Sequence, residues 1–433
     1  MNPKKAGGRI VDDLLARRRR TFCFCAVFAA AFLLRVVLII KFGSHPVNDQ
    51  IWDDAVGWNL ATGHGFTASQ SDPRVPGVFR TPVYPGFLSV IYFLFGHSYE
   101  AVYIAQSVLD SLSAVLIGLI ACSLISERVG IMTGALYALY PYSAIFCGAV
   151  GQDILLTFSV LVVLSAVVIA MRRAENLWAW FIVGVATGCT ALVKANFILF
   201  ITVPFLTALL MTRRIRRPTP VFAVMAAGLV LVVAPWVLRN YIVFGSFPPL
   251  AAGGTGTNLM YLLDELEGGE EMLIGRYQES PKDGTAGLPY LEKNVDGAAL
   301  IVREKELAGQ AVSELARRWP EYLVLILKHI PRLWVTRHAL GQSRLVGLAG
   351  QFVPWIFFVP GVAGMVLLFR RRRELIPLYA TVSVITLMYA PYTAEARYTL
   401  PARPALILFA GFTFTYLLEK FISYRHQYAF DRP

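Results

Sequence analysis

About ten apolar stretches, each of roughly 17 to 25 residues and therefore able to cross a hydrocarbon core, run through the chain. They lie near residues 22–41, 101–125, 130–148, 152–171, 177–193, 197–212, 220–238, 349–369, 375–391 and 402–420. This pattern predicts an all-α integral membrane protein of about ten transmembrane helices, because lipid offers no partner to an unpaired backbone group. Composition agrees: of 433 residues, 56% are hydrophobic and only 16% charged, with a mean hydropathy of +0.56, values that a soluble domain of this size does not normally reach.

Every second junction between the stretches is basic. The blocks are Arg17 to Arg20, Arg128, Arg172 with Arg173, Arg213 to Arg217, and Arg370 to Arg373, followed by Lys420 and Arg425 after the last stretch. Basic short loops mark the cytoplasmic side, so both termini are expected in the cytoplasm, in a cytoplasmic (inner) membrane. The net charge of +12 is then mostly a topological signal, and no basic face of a soluble module calls for nucleic acid as a partner. The first stretch also resembles a secretory signal, but it is too long for one and carries Arg35, which favours an uncleaved anchor. Cys23, Cys25, Cys122, Cys147 and Cys189 all fall inside apolar stretches, with no disulfide framework or zinc spacing.

Within a single membrane domain spanning residues 1–433, two connections are long: residues 42–85 and residues 241–347. Loops of that length are usually functional. The second opens with Gly253, Gly254 and Gly256, read as a flexible turn because the run lacks the Lys-Ser/Thr ending of a phosphate-binding loop. It continues through an acidic stretch, Asp264 to Asp283, and an amphipathic helix near Val295 to Trp319. The run Tyr322 to Trp334, interrupted by Lys328, His329 and Pro331, reads as an interfacial helix lying on the outer leaflet.

Parity then gathers isolated charges on the outer face. These are Asp49, Asp53, Asp54, Arg74 and Arg80 in the first long loop, Asp153 at the start of the fourth stretch, Lys194 between the fifth and sixth, Arg239 at the end of the seventh, and Glu395, Arg397 and Arg403 around the last two. Any one could be an ordinary interfacial charge or a snorkelling cation. Together they describe carboxylates and cations converging at one water–lipid boundary, as an anionic lipid headgroup requires. Asp49 and Asp53 are four apart and share a helix face, while Trp52 and Trp58 suit headgroup depth. RTPVYP, Arg80 to Pro85, precedes a run, Gly86 to Phe95, too short to span unaided, which predicts a juxtamembrane helix.

Five stretches in order carry a family resemblance: NDQIWDDAVGWNLATGHGF (Asn48 to Phe66), RTPVYPGFLSVIYFLFG (Arg80 to Gly96), GQDILLTF (Gly151 to Phe158), APWVLRNYIVFGSF (Ala234 to Phe247) and EARYTLPARPALILFAG (Glu395 to Gly411). The chain resembles the polyprenyl- or dolichyl-phosphate-sugar-dependent membrane glycosyltransferases of the C-type fold, in the branch of the protein O-mannosyltransferases and the aminoarabinose transferase. The resemblance is weakest from Asp264 to Gly347. It implies two long extracytoplasmic loops carrying juxtamembrane helices, a catalytic carboxylate at Asp49 with Asp53 and Asp54 as rivals, and a second acidic position at Asp153. It also implies that Lys194, Arg239 and Arg397, with Tyr398, hold a lipid phosphate; Arg80 is a further candidate.

The residue types suit that chemistry. A phosphate leaving group is already a stable anion, so cations suffice on its side. One carboxylate can take the acceptor's proton as general base and give inversion, unlike the two-carboxylate glycosidases. The expected partners are a polyprenyl-phosphate-linked sugar donor, membrane lipid, and a glycan, lipid or protein acceptor. A divalent metal is compatible but has no recognisable ligand spacing. A lipid-linked transporter or flippase is the alternative, and the paired halves common in transporters are not evident.

Overall fold

A computed structural model describes residues 3–46, 49–67, 77, 80–211, 218–245, 250–251, 254–278, 297–335, 344–369, 373–392 and 394–430. Among these residues the chain is helical, with no β-strand. Five helical stretches are long and apolar enough to cross a membrane: residues Arg17–Phe42 of α1 (Pro3–Phe42), α4 (Tyr99–Leu124), α7 (Asp153–Arg172), α10 (Pro218–Phe244) and Ala396–Tyr424, which ends in α16 (Arg403–Phe430). Most of the remaining predicted spans are shorter or broken. The fifth is α8 (Leu177–Val193), the sixth is a 3₁₀ segment (Ala195–Ile201) running into α9 (Thr202–Leu210), the eighth belongs to α14 (Arg344–Leu368), and the ninth is α15 (Ile376–Tyr389). Of the about ten predicted transmembrane helices, five are thus long and apolar enough to cross a membrane among the described residues.

The third predicted span splits into α5 (Glu127–Ala138) and α6 (Pro141–Phe146). Pro141 has no N–H to continue the ladder and its ring displaces the preceding turn. A helix break at membrane depth leaves carbonyls without donors, and Arg35 of α1 supplies them: its Nη1 donates to Ala138 O at 2.7 Å and Ala31 O at 3.0 Å, and its Nη2 to Tyr137 O at 3.4 Å. Asp110 of α4 balances the charge, accepting from Arg35 Nε at 2.9 Å and Tyr137 Oη at 2.7 Å. Both charged side chains are 0% exposed. Arg35 therefore closes a helix break.

Close helix contact elsewhere depends on missing side chains. A Cβ at Gly184 of α8 would collide with the Met225 backbone of α10, and one at Gly228 with Phe181 O.

The basic junctions meet at one end of the helices. Arg19 pairs with Glu127 at 3.0 Å, Arg128 with Glu419 at 2.8 Å, and Arg172 donates to Ser123 O at 2.7 Å. Ser126, between α4 and α5, caps α5 by accepting from Val129 N. The blocks at 213–217 and 370–372 lie outside the described residues.

At the other end, the first long loop forms α2 (Asp49–Ala61) and α3 (Val83–Phe95). They touch closely enough that a Cβ at Gly57 would stand 2.6 Å from Leu88 Cβ. One face of α3 is buried at Tyr84, Leu88 and Tyr92, while Val90, Phe93, Leu94 and Phe95 are exposed. That division suits a helix bordered by lipid.

The second long loop contains α11 (Thr255–Gln278), α12 (Gly297–Arg317) and α13 (Trp319–Val335). The last two correspond to the predicted amphipathic and interfacial helices, and α13 exposes Trp319, Leu323, Val324 and Leu327. The flexible-turn reading of the glycine run is corrected at Gly256, which lies in the first turn of α11. Glu304 of α12 caps that turn, accepting from Gly256 N at 2.8 Å, Thr257 N at 3.3 Å and Thr257 Oγ1 at 2.6 Å. A Cβ on Gly256 would run into Glu304 O, so glycine here permits contact between helices. Residues 279–296, the rest of the acidic stretch, lie outside the described residues.

Candidate functional site

Lys194 ends α8 in extended conformation, before the 3₁₀ segment that follows. This change of path turns its side chain onto two tyrosines: Nζ is 4.4 Å from the ring centroid of Tyr398 and 5.6 Å from that of Tyr389. The rings are stacked, 4.6 Å apart and 7° from parallel. Tyr389 is the last residue of α15, and Tyr398 belongs to a second 3₁₀ segment, Ala396–Ala402. Arg397 adds a second cation, its Cζ 5.1 Å from the Tyr398 centroid and its Nη2 donating to Tyr398 Oη at 3.3 Å. Arg397 Nε also pairs with Glu395 at 2.6 Å. Lys194 has no carboxylate partner among the described residues, so its charge is met only by the π faces beneath it.

The first loop reaches this platform. Thr81 Oγ1 donates to Val193 O at 2.9 Å, one residue before Lys194. Beside it, Arg80 Nε stands 3.1 Å from Asp53 Oδ1. Asp153, the first residue of α7, is half-buried and joins the same region: Tyr84 of α3 lies within electrostatic reach of Asp53, Asp54 and Asp153, and Tyr389 within reach of Asp153 and Arg397. Tyr84 is fixed by donating to Gln106 Oε1 at 3.1 Å.

The three carboxylates of α2 have different surroundings. Asp54 is saturated, accepting from Tyr92 Oη at 2.6 Å and Tyr99 Oη at 3.0 Å and facing His97 Nε2 at 2.8 Å. Trp58 stacks on His97 with centroids 4.7 Å apart. Burial, and next the Asp54 carboxylate, push the Tyr92 phenol well above its usual range, so it remains a donor. Asp53 faces the Arg80 guanidinium. Asp49 opens α2 one turn before Asp53; its side chain, like Arg74, lies outside the described residues.

Arg239 is placed differently from Lys194. Its Nη1 donates to Gly77 O and its Nη2 to Phe66 O, both at 3.3 Å, and Nη1 also donates to Asn240 Oδ1 at 2.9 Å. Trp236 and Phe66 cover the guanidinium at 4.9 and 5.3 Å. Arg239 thus ties the first loop to α10. Arg403 lies beneath the second 3₁₀ segment, donating to Thr399 Oγ1 at 2.9 Å and Leu333 O at 3.2 Å.

Two contributors went unnoticed in the sequence. Tyr389 reads as one more aromatic at the end of an apolar run. His329 reads as an interruption, yet it is fully buried, with Nδ1 2.8 Å from Ala390 O and Nε2 3.2 Å from both oxygens of Glu265. Among the described residues no group of three or more His, Cys, Asp or Glu is placed to hold a metal ion. Asp53 faces Arg80 and Asp54 already meets three partners.

Residues 79–238 match the family model for dolichyl-phosphate-mannose-protein mannosyltransferases. None of the curated proteins matches the chain. Among solved structures, the oligosaccharyltransferase AglB of Archaeoglobus fulgidus, with an inhibitory peptide and a dolichol-phosphate, is similar at a TM-score of 0.55 and 13% identity, over 93% of this chain and 51% of that one. An apo form of the Archaeoglobus fulgidus oligosaccharyltransferase gives 0.56 and 15%, with the same coverages. ArnT of Cupriavidus metallidurans bound to undecaprenyl phosphate gives 0.44 and 18%, over 90% of this chain and 77% of that one, a likeness too loose to argue from. This chain spans about half the length of the archaeal structures. The resemblance read from the sequence thus meets a family match over residues 79–238 and a shared fold: the chain is similar to the dolichyl-phosphate-mannose-protein mannosyltransferases on a helical membrane fold found in an archaeal oligosaccharyltransferase.

Proposed function

We propose that this protein is a membrane glycosyltransferase, a hexosyl- or pentosyltransferase that moves a sugar from a polyprenyl-phosphate carrier to an acceptor with inversion. The observation that carries this reading is the Lys194–Tyr389–Tyr398–Arg397 platform beside the carboxylates of α2 and α7. A half-buried ammonium with no carboxylate partner among the described residues suits a phosphate, and low surrounding polarity strengthens that pairing. The family match over residues 79–238 and a fold neighbour solved with dolichol-phosphate support it.

Lys194 and Arg397, with Tyr398, take the lipid phosphate and stabilise the charge that grows on it as the glycosidic bond breaks. Asp49 or Asp53 takes the proton from the acceptor hydroxyl or amine, Arg80 orients Asp53, and Asp153 flanks the sugar. Asp54 is assigned to holding α2, because its oxygens already face three partners. Arg239 supports the first loop. The basic end faces the cytoplasm of an inner-membrane protein, and the platform opens outside, at the boundary where α3 and α13 lie.

The test is sugar release from a labelled polyprenyl-phosphate donor by purified protein carrying single Asp49→Asn, Asp53→Asn or Asp153→Asn changes. Loss of a positioned base costs about 10²- to 10⁴-fold in rate, so at least one variant should fall by that factor at normal expression. Full transfer by all three would overturn the reading. Cysteine labelling that placed position 80 and position 128 on the same membrane side would overturn the topology.

A further inference from the structure

The platform under Lys194 is not held by its own helices alone. α13 grips it from the outer loop at four points. His329 Nδ1 meets Ala390 O at 2.8 Å, the residue after Tyr389. Tyr322 Oη donates to Pro391 O at 3.0 Å, and Trp334 Nε1 to Thr386 Oγ1 at 3.1 Å. On the far side, Leu333 O accepts from Thr399 Oγ1 at 3.0 Å, next to Tyr398. Both halves of the tyrosine stack are therefore clamped to one helix.

His329 is the buried centre of that clamp. Its ring faces a carbonyl on one side and a carboxylate on the other. Glu265 of α11, which balances the ring, is also 3.3 Å from Arg332 Nη1. The chain of contacts runs Glu265, His329, Ala390, Tyr389, Tyr398, Lys194, from a loop helix to the cation. Tyr389 and Tyr398 stack only while residues 389 and 398 keep their spacing, and Lys194 has no other anion among the described residues to hold it.

We infer that His329, braced by Glu265, is a positioning residue that sets the Lys194–Tyr398 platform for the donor's lipid phosphate. This rests on the reading of the platform as the phosphate site. His329 touches neither phosphate nor sugar; it acts through the Ala390 carbonyl. A residue that merely stabilised the fold would lower the amount of active protein, whereas a positioning residue changes affinity for the donor.

The experiment compares His329→Leu, Glu265→Gln and Lys194→Ala in lipid nanodiscs. It measures binding of a sugar-free polyprenyl phosphate, and KM and kcat for the sugar-loaded donor. Loss of a buried, charge-assisted bond corresponds to about a tenfold change in equilibrium. His329→Leu and Glu265→Gln should each weaken polyprenyl-phosphate binding and raise donor KM by about tenfold, with kcat per folded molecule within about twofold. The double variant should be little worse than either single one, because both break one chain of contacts. If Lys194→Ala weakens binding while folded Glu265→Gln and His329→Leu leave it unchanged, the positioning role fails and the phosphate site stands. If Lys194→Ala leaves binding unchanged, the phosphate site and this inference fall together. Glu265→Gln, which keeps the shape of the side chain, decides the matter if His329→Leu does not fold.

Discussion

Two charged clusters in this protein use the same residue types to opposite ends. Around Arg35 and Asp110, deep among α1, α4 and α5, the guanidinium meets carbonyls and a carboxylate, and Asp110 accepts a further hydrogen bond from Tyr137. Around Lys194, an ammonium rests on two rings, with no carboxylate opposite it among the described residues. A saturated buried pair can only hold structure. A half-buried cation with bonding capacity left over can hold a ligand, which is the role proposed for Lys194.

The sharpest way to break this comparison is to remove one charge from each cluster. Asp110→Ala strands a buried guanidinium, which costs about 3–5 kcal/mol; thermal unfolding in detergent should show a protein that fails to accumulate or melts far earlier. Lys194→Ala should melt close to the parent. Equal destabilisation by the two would erase the distinction. Replacing the pair together, Arg35→Met with Asp110→Leu, should recover part of the loss, limited by the helix-break carbonyls that Arg35 now satisfies.

A smaller effect sharpens the sorting of the α2 carboxylates. Tyr92→Phe deletes a 2.6 Å bond to Asp54 and should cost about 1.5–3 kcal/mol of stability, the range for hydrogen bonds to charged groups, with no loss of transfer beyond that of the folded fraction. A rate defect as large as that of Asp53→Asn would move Asp54 into the reaction. The smallest change is expected at the basic end, where Arg19 and Glu127 are partly exposed. Arg19→Ala should alter stability by at most about 1 kcal/mol, and by less in high salt.

The site was legible in unequal parts. Asp53, Arg80, Lys194, Arg397 and Tyr398 stood out as isolated charges or their neighbours in an apolar chain, where each demands an explanation; Asp53 pairs with Arg80, while Lys194 and Arg397 share the Tyr398 ring. Arg239 stood out equally, but its donors go to Gly77 and Phe66 carbonyls of the first loop, a use that no spacing announces. Tyr389, His329 and Asp110 gave no signal, because an aromatic or a lone polar residue in an apolar run is common and its meaning depends on what faces it.

By itself, the sequence determined the class of molecule: long apolar runs must become helices in lipid, and two of the alternating basic blocks meet acidic partners at one end of the helices, Arg19 with Glu127 and Arg128 with Glu419. It also marked the helices that became α3, α12 and α13, since amphipathic spacing is a local property. Tertiary structure alone decided which runs stay unbroken, which charges are saturated and which remain open. Those outcomes depend on partners 75 residues away, as between Arg35 and Asp110, or far more, as between Lys194 and Tyr398. Local periodicity carries no information about contacts at that separation.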